Sequence, residues 1–284
     1  DRGRSPRSIV PDRTRQVQIR RVEQDVVGAE EADELAVEEP LEVRLGERSL
    51  LVTMRTPGHD GDLVRGLLFT EGLVAEPGDV VAVQACPDVP DAARGNVVVV
   101  SLAQGASLDE ERTPRAGLMA SSCGVCGKAT LEAIRTTAEP VDAGPGLTPE
   151  LILGLMTELR GQQQLFERTG GLHAAGLFDA RGRLLASAED IGRHNAVDKV
   201  IGQAIRFGRL PLHQTLLAIS GRAGFEIVQK ARRAGIPVIC SVSAPSSLAV
   251  DLAADGGQTL VGFLRSDRFN VYTGGERFDG PPAT

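Results

Sequence analysis

Two cysteines spaced as Cys123-Gly-Val-Cys126 carry the most distinctive chemistry in the chain. They lie in a glycine-rich loop just ahead of Lys128-Ala-Thr-Leu-Glu-Ala-Ile, whose apolar spacing is helical. There, unpaired backbone N–H groups and the positive end of a helix dipole favour thiolate over thiol, and Lys128 adds positive charge. Such a pair can exchange disulfides, hold sulfur as a persulfide, or form half of a structural zinc site. No second Cys/His pair stands at conventional spacing to complete four zinc ligands, which favours the reactive reading while leaving the structural one open. The chain has 4 cysteines in 284 residues, too few for a disulfide scaffold. Cys86 and Cys240 stand alone and are read as packing residues.

Other segments hold groups suited to an anionic ligand. In Thr169-Gly-Gly-Leu-His-Ala-Ala-Gly, glycines permit close approach and His173 could shuttle a proton, although for His173 alone a satisfied buried histidine beside a tight turn is the better reading. The stretch 189–199 packs Asp190, Arg193, His194, Asn195 and Lys199 into the start of a helix, denser than a solvated helix start requires. Asp190 suits a guanidine-like base edge, and Arg193, His194 and Lys199 suit phosphates. Two strand-to-helix loops, 220–224 with Ser220 and Arg222 and 243–247 with Ser243 and Ser246, match neither a P-loop nor a dinucleotide fingerprint. As ordinary turns they need no ligand; together with 189–199 they suggest a nucleotide-bearing molecule. Arg265 and Arg268 follow the last expected strand and either clamp a phosphate or face solvent.

These residues must be positioned by a fold. Residues 1–15 are charged, contain prolines and lack periodicity, so they read as a disordered tail. Strands are expected at 41–45 and 50–54 around a Gly46-Glu47 turn, then a helix over 63–68, then strands at 80–84 and 97–102. Residues 140–149 read as a linker. Beyond them helices at 149–167, 196–207, 225–234 and 248–254 alternate with strands at 173–178, 184–187, 216–219, 238–242 and 260–264. The pattern predicts an α/β protein in two units: an α+β N-terminal domain over 16–140, ending in the C-x-x-C loop and its helix, and an α/β domain over 141–284.

Composition excludes several classes. With 31 Lys+Arg against 38 Asp+Glu and a net charge of -7, nothing draws the chain to nucleic acid or an anionic membrane. No stretch is apolar enough to span a bilayer and no signal core opens the chain, so a cytoplasmic protein is expected.

The segments GLLFTEGLV, SSCGVCGKA, TGGLHAAGLF, EDIGRHNAVDKVIG, SGRAGFEIVQKA, AGIPVICSVSAPSSLAVDLA and GFLRSDRFNVYT, in this order, closely resemble the formate dehydrogenase accessory sulfurtransferase family, FdhD, also called NarQ. The resemblance spans about residues 17–273. It implies a cytoplasmic sulfur carrier that accepts sulfur from a cysteine desulfurase. The sulfur passes to the molybdenum cofactor, bound as bis(molybdopterin guanine dinucleotide), before that cofactor enters apo formate dehydrogenase. It further implies a homodimer, Cys123 as the persulfide residue with Cys126 assisting, and cofactor binding at Phe263, Leu264, Arg265, Ser266, Asp267 and Arg268. The larger domain would resemble the cytidine deaminase fold, a mixed sheet flanked by helices. Deaminase chemistry itself fails: His173-Ala-Ala175 lacks the glutamate, and the C-x-x-C precedes it without a proline. No tightly held metal of its own is expected. Two alternatives remain: a cofactor-binding chaperone whose cysteines are structural or zinc-binding, and a thioredoxin-like oxidoreductase. The position of the C-x-x-C, after a long α+β segment, argues against the second.

Overall fold

The computed structural model describes residues 12–110, 112, 118–119 and 139–279. It is a mixed α/β structure whose described strands form three sheets. β1 (Thr14–Glu23) and β2 (Val26–Ala36) make an antiparallel ribbon turned by Gln24 and Asp25, both at positive φ as a two-residue hairpin loop demands. Thr14 and Arg15, assigned by sequence to the tail, belong to β1 because they pair with Ala36 and Leu35. The second sheet contains β3 (Glu39–Leu45), β4 (Arg48–Arg55), β5 (Val80–Ala85), β6 (Val97–Leu102) and β7 (Leu118–Met119), ordered β5-β6-β3-β4-β7. α1 (Asp60–Thr70) follows β4.

The third sheet has six strands, ordered β13-β12-β11-β10-β8-β9. β8 (His173–Asp179) and β9 (Leu184–Asp190) form an antiparallel hairpin; β10 (Thr215–Ile219), β11 (Val238–Ser241) and β12 (Thr259–Gly262) run parallel; β13 (Asn270–Thr273) closes the edge antiparallel. The helices are α2 (Pro149–Gly161), α3 (Gln164–Thr169), α4 (Arg193–Arg206), α5 (Phe225–Arg233) and α6 (Ser247–Asp255). The strand period of two divides β10 between two cores. Leu216 and Ala218 pack with Ile152, Leu155 and Leu159 of α2, whereas Leu217 and Ile219 pack under α4, α5 and α6. The expected single helix over 149–167 is broken into α2 and α3. The distant Glu189 carboxylate accepts the N–H groups of Leu165 and Phe166 (3.0 and 2.8 Å) and so starts a new helix there. Cys240 packs in the α2-side core, where burial pushes its thiol up to about 12 and leaves it inert.

One core cluster joins Leu41, Val43 and Leu51 of the second sheet to Leu217 and Leu260 of the third through α1 and α4. These two helices cross on glycines. A Cβ on Gly66 would lie 1.9 Å from the Asp198 carbonyl oxygen, and one on Gly202 would lie 1.8 Å from that of Asp62. No side chain fits without parting the helices. Gly202→Ala is therefore expected to destabilise the fold by about 3 kcal/mol or more in denaturant melts; an unchanged midpoint would contradict the close crossing. Beside the crossing, Lys230 of α5 donates to Asp198 (2.9 Å), Thr70 (3.0 Å) and Glu71, tying three helices in a nearly water-free cluster. Burial, with Glu71 adding to it, raises Asp198 to about 6 against the pull of Lys230 and Thr70.

Candidate functional site

Strand pairing brings five of the sequence-selected segments to one edge of the six-stranded sheet. His173 opens β8 opposite Asp190 at the end of β9, and Ala175 faces Ile219 at the end of β10. Ile219 aligns with Ser241 of β11, which leads to β12. The loops 220–224, 242–246 and 263–268 therefore all leave carboxyl ends of parallel strands, the edge where open α/β sheets bind ligands.

Backbone and hydroxyl bonds knit this edge into a platform. Ser220 Oγ accepts the Ala174 N–H (2.8 Å), joining β10 to β8. Ser241 Oγ donates to the Gly221 carbonyl (2.7 Å) and accepts the Ser243 N–H (3.2 Å). Ala223 bridges to Pro245, and the Phe263 N–H reaches the Ser243 carbonyl (3.2 Å). Ser246 is spent as the N-cap of α6, accepting the Ala249 N–H at 3.2 Å. Arg222 is exposed.

His173, Arg193 and Gly221 are close neighbours: a Cβ on Gly221 would come 3.2 Å from His173 Nδ1 and 3.5 Å from Arg193 Cδ. Burial, then the Arg193 charge, holds His173 below the ordinary histidine range, with Asp190 opposing. Arg193 begins α4, whose N-cap Gly192 supplies no side-chain acceptor, and its Nε is buried without a partner. His194 is buried, with Nε2 3.9 Å from Glu226 Oε2.

Farther along the edge, Phe263, Arg265, Arg268 and Asn270 line a cavity of about 280 Å³. Strand β12 stops at Gly262, two residues short of the sequence expectation, because Phe263 takes a left-handed conformation (φ 51°). This turn throws the Phe263 ring outward, 41% exposed, while Leu264 stays in the core at 1%. The Arg265 N–H donates to the Arg268 carbonyl (2.8 Å), and its guanidinium holds the Val242 and Leu264 carbonyls. Ser266, Asp267 and Arg268 are exposed.

Asp190, Asn195 and Lys199 turn inward. Lys199 Nζ lies 2.7 Å from Asp190 Oδ2 and donates to the Thr56 carbonyl (2.9 Å), and both charged side chains are fully buried. Asp190 also accepts the N–H groups of Thr56 (3.2 Å) and Gly192 (2.8 Å) and the Asn195 amide (2.9 Å). Asn195 further donates to the Met54 carbonyl (2.7 Å). Burial lowers the Lys199 pKa, and Asp190 partly restores it. The cluster clamps the β4–α1 turn to the start of α4, and so fixes Arg193.

Cys123, Cys126 and Lys128 lie outside the described residues. Three groups escape a sequence reading. Arg13 falls in the presumed tail yet is half-buried, under the charges of Glu189, Asp190 and Asp60. Thr56 is an undistinguished turn residue. Glu226 carries no signal beyond its place in the first turn of α5. Among the described residues no group of three His, Cys, Asp or Glu side chains could hold a metal ion, and no helix is long and apolar enough to cross a membrane.

Comparison with known proteins bears on this arrangement. The model of the FdhD/NarQ family matches residues 36–279. The chain is 51% identical over 250 residues to a sulfur carrier protein FdhD of Streptomyces avermitilis, covering 86% of this chain and 89% of the relative. It is 52% identical over 249 residues to the one of Nocardia farcinica, covering 86% and 88%. A crystal structure from Desulfotalea psychrophila, described as a candidate formate dehydrogenase accessory protein, superposes with a TM-score of 0.73 at 26% identity, covering 94% of this chain and 99% of that one.

Proposed function

From the premise that the chain belongs to the FdhD/NarQ family, we propose that it carries sulfur from a cysteine desulfurase to the molybdenum cofactor destined for formate dehydrogenase. The Cys123 thiolate attacks the outer sulfur of the desulfurase persulfide. The donor S–S bond breaks, the donor cysteine leaves as thiolate, and Cys123 holds the new persulfide. Attack of the Cys126 thiolate on the inner sulfur of Cys123 then releases hydrosulfide to the acceptor and leaves a Cys123–Cys126 disulfide, to be reduced by a cellular dithiol. The acceptor, and so the substrate of this transfer, is the cofactor's bis(molybdopterin guanine dinucleotide) form. A reducing cytoplasm suits this thiol chemistry.

The observation that carries the reading is the convergence at one sheet edge of Arg193 with its unspent Nε, the 220–224 and 242–246 loops, and the cavity between Arg265 and Arg268. These groups suit a ligand with phosphates and planar rings. In this account Arg193, His194, Ser220, Arg222, Ser243 and residues 263–268 form the acceptor platform, while Asp190, Asn195, Lys199 and the capping Ser246 hold it in place. The sheet order β9-β8-β10-β11-β12 supports the likeness to the cytidine deaminase fold, with a nucleotide-binding edge retained and the deaminase glutamate missing.

Guanosine diphosphate serves as the probe. Calorimetric titration is expected to show binding that weakens about 10-fold or more in Arg265→Ala and in Arg268→Ala, as loss of a charge-assisted contact does. Equal affinity in wild type and both variants would remove the cavity from the acceptor site.

A further inference from the structure

Two aromatic rings stand open beside the cavity between Arg265 and Arg268. Phe263 lines it and is 41% exposed; Tyr272, two residues beyond the lining Asn270 on β13, is 38% exposed. A single exposed aromatic side chain is ordinary on a protein surface. Two at one place, each turned outward by an irregularity of the backbone, call for a cause. Phe263 owes its direction to a left-handed conformation (φ 51°), which a bulky residue adopts only where its surroundings enforce it. Tyr272 is the extra residue of a bulge: Val261 faces Val271 and Leu260 faces Thr273, so no residue of β12 opposes it. Bulges re-aim side chains beside binding sites.

The bulge brings the tyrosine ring back over the end of β12. A Cβ on Gly262 would come 2.9 Å from Tyr272 Cε2 and 2.9 Å from Pro245 Cδ, so the ring rests on bare backbone next to the 242–246 loop. Only glycine leaves room for it there. Gly262 in turn pairs with Asn270 and precedes Phe263, which places both rings and the lining amide around one point of the sheet edge. The cavity, at about 280 Å³, is smaller than the ~300–1,000 Å³ of pockets that enclose a whole drug-sized ligand, so it takes one end of a larger molecule.

We propose that Tyr272 is the stacking residue for the base of a bound guanine nucleotide, with Phe263 flanking the same ring, Asn270 bonding its polar edge, and Arg265 and Arg268 on the phosphates. Aromatic faces hold a base by stacking, and guanidinium groups hold phosphates. A side-chain amide both donates and accepts, as the edge of guanine does. This inference rests on the reading of the sheet edge as the site of a guanine-bearing acceptor and deepens it. It adds a residue outside 263–268 and gives the base and the phosphates separate holders.

Intrinsic fluorescence of the full chain tests it, because with no tryptophan and a single tyrosine the tyrosine emission reports Tyr272 alone. Guanosine diphosphate is expected to quench that emission saturably, over the concentrations at which calorimetry shows binding and after correction for its own absorbance. Pyrophosphate, which has no ring, should leave the emission unchanged. Tyr272→Leu keeps apolar bulk over Gly262 but loses the aromatic face, and should weaken guanosine diphosphate about 10-fold, as loss of a base–aromatic stack does. Tyr272→Phe should bind as wild type does, which separates stacking from any role of the hydroxyl. Unchanged affinity in Tyr272→Leu, an equal loss in Tyr272→Phe, or an emission that ignores the bound nucleotide or answers equally to pyrophosphate would overturn the proposal and leave the acceptor site in place. A wild type that binds no guanosine diphosphate would instead overturn the reading of the sheet edge, and this inference with it.

Discussion

Cys123→Ala is expected to lower formate dehydrogenase activity in a strain lacking the native protein to the level of the uncomplemented strain. Sulfur transfer through a persulfide has no substitute once its carrying thiol is gone. The remaining cysteines do not replace it. Cys240 is fully buried, with its thiol pushed up to about 12. Cys86 is partly exposed and stands alone in the sequence, with no second cysteine at C-x-x-C spacing. Cys126→Ala should be milder, because an external thiol can perform the release step that the proposal assigns to Cys126. Full complementation by Cys123→Ala would leave the chain as a cofactor-holding protein, and stoichiometric zinc on the purified protein would then give the pair its structural role.

The second large effect concerns Lys199→Met. The substitution leaves the Asp190 carboxylate buried with no cation in contact, and such losses destabilise proteins by about 3–5 kcal/mol. The fall should appear in the midpoint of chemical denaturation. Asp190→Asn added to Lys199→Met should recover part of it, because an unpaired charge is worse than a neutral amide at the same place. The clamp also fixes the start of α4, so guanosine diphosphate affinity should fall in Lys199→Met even under conditions where it remains folded. A stability loss with unchanged nucleotide affinity would confine Lys199 to the core.

Much of this organisation is legible in the sequence, for physical reasons. Short apolar runs such as 216–219 and 238–242 announce buried strands, and Gly46 announces the β3–β4 turn at positive φ. What sequence conceals are long-range contacts and reversals of expected exposure. The break between α2 and α3 depends on Glu189 arriving from another strand. β9 continues through Asp190, where polar density suggests a helix start, because Asp190 finds its partners inside the protein. β13 is exposed along Asn270, Val271 and Tyr272 and so lacks a buried strand's signature. The candidate site is visible as a set of polar loops. Its division into an outward platform and an inward clamp is not, because Asp190 and Arg193 look alike in a string of letters and differ only in which way the fold turns them.

The central claim is that Cys123 carries sulfur, and mass spectrometry of the digested protein after incubation with a cysteine desulfurase and cysteine tests it most directly. The peptide containing Cys123 is expected to gain one sulfur atom, removable by a reducing thiol and absent in Cys123→Ala. An unmodified Cys123 beside a persulfidated desulfurase, or sulfur found on Cys86 instead, would contradict it.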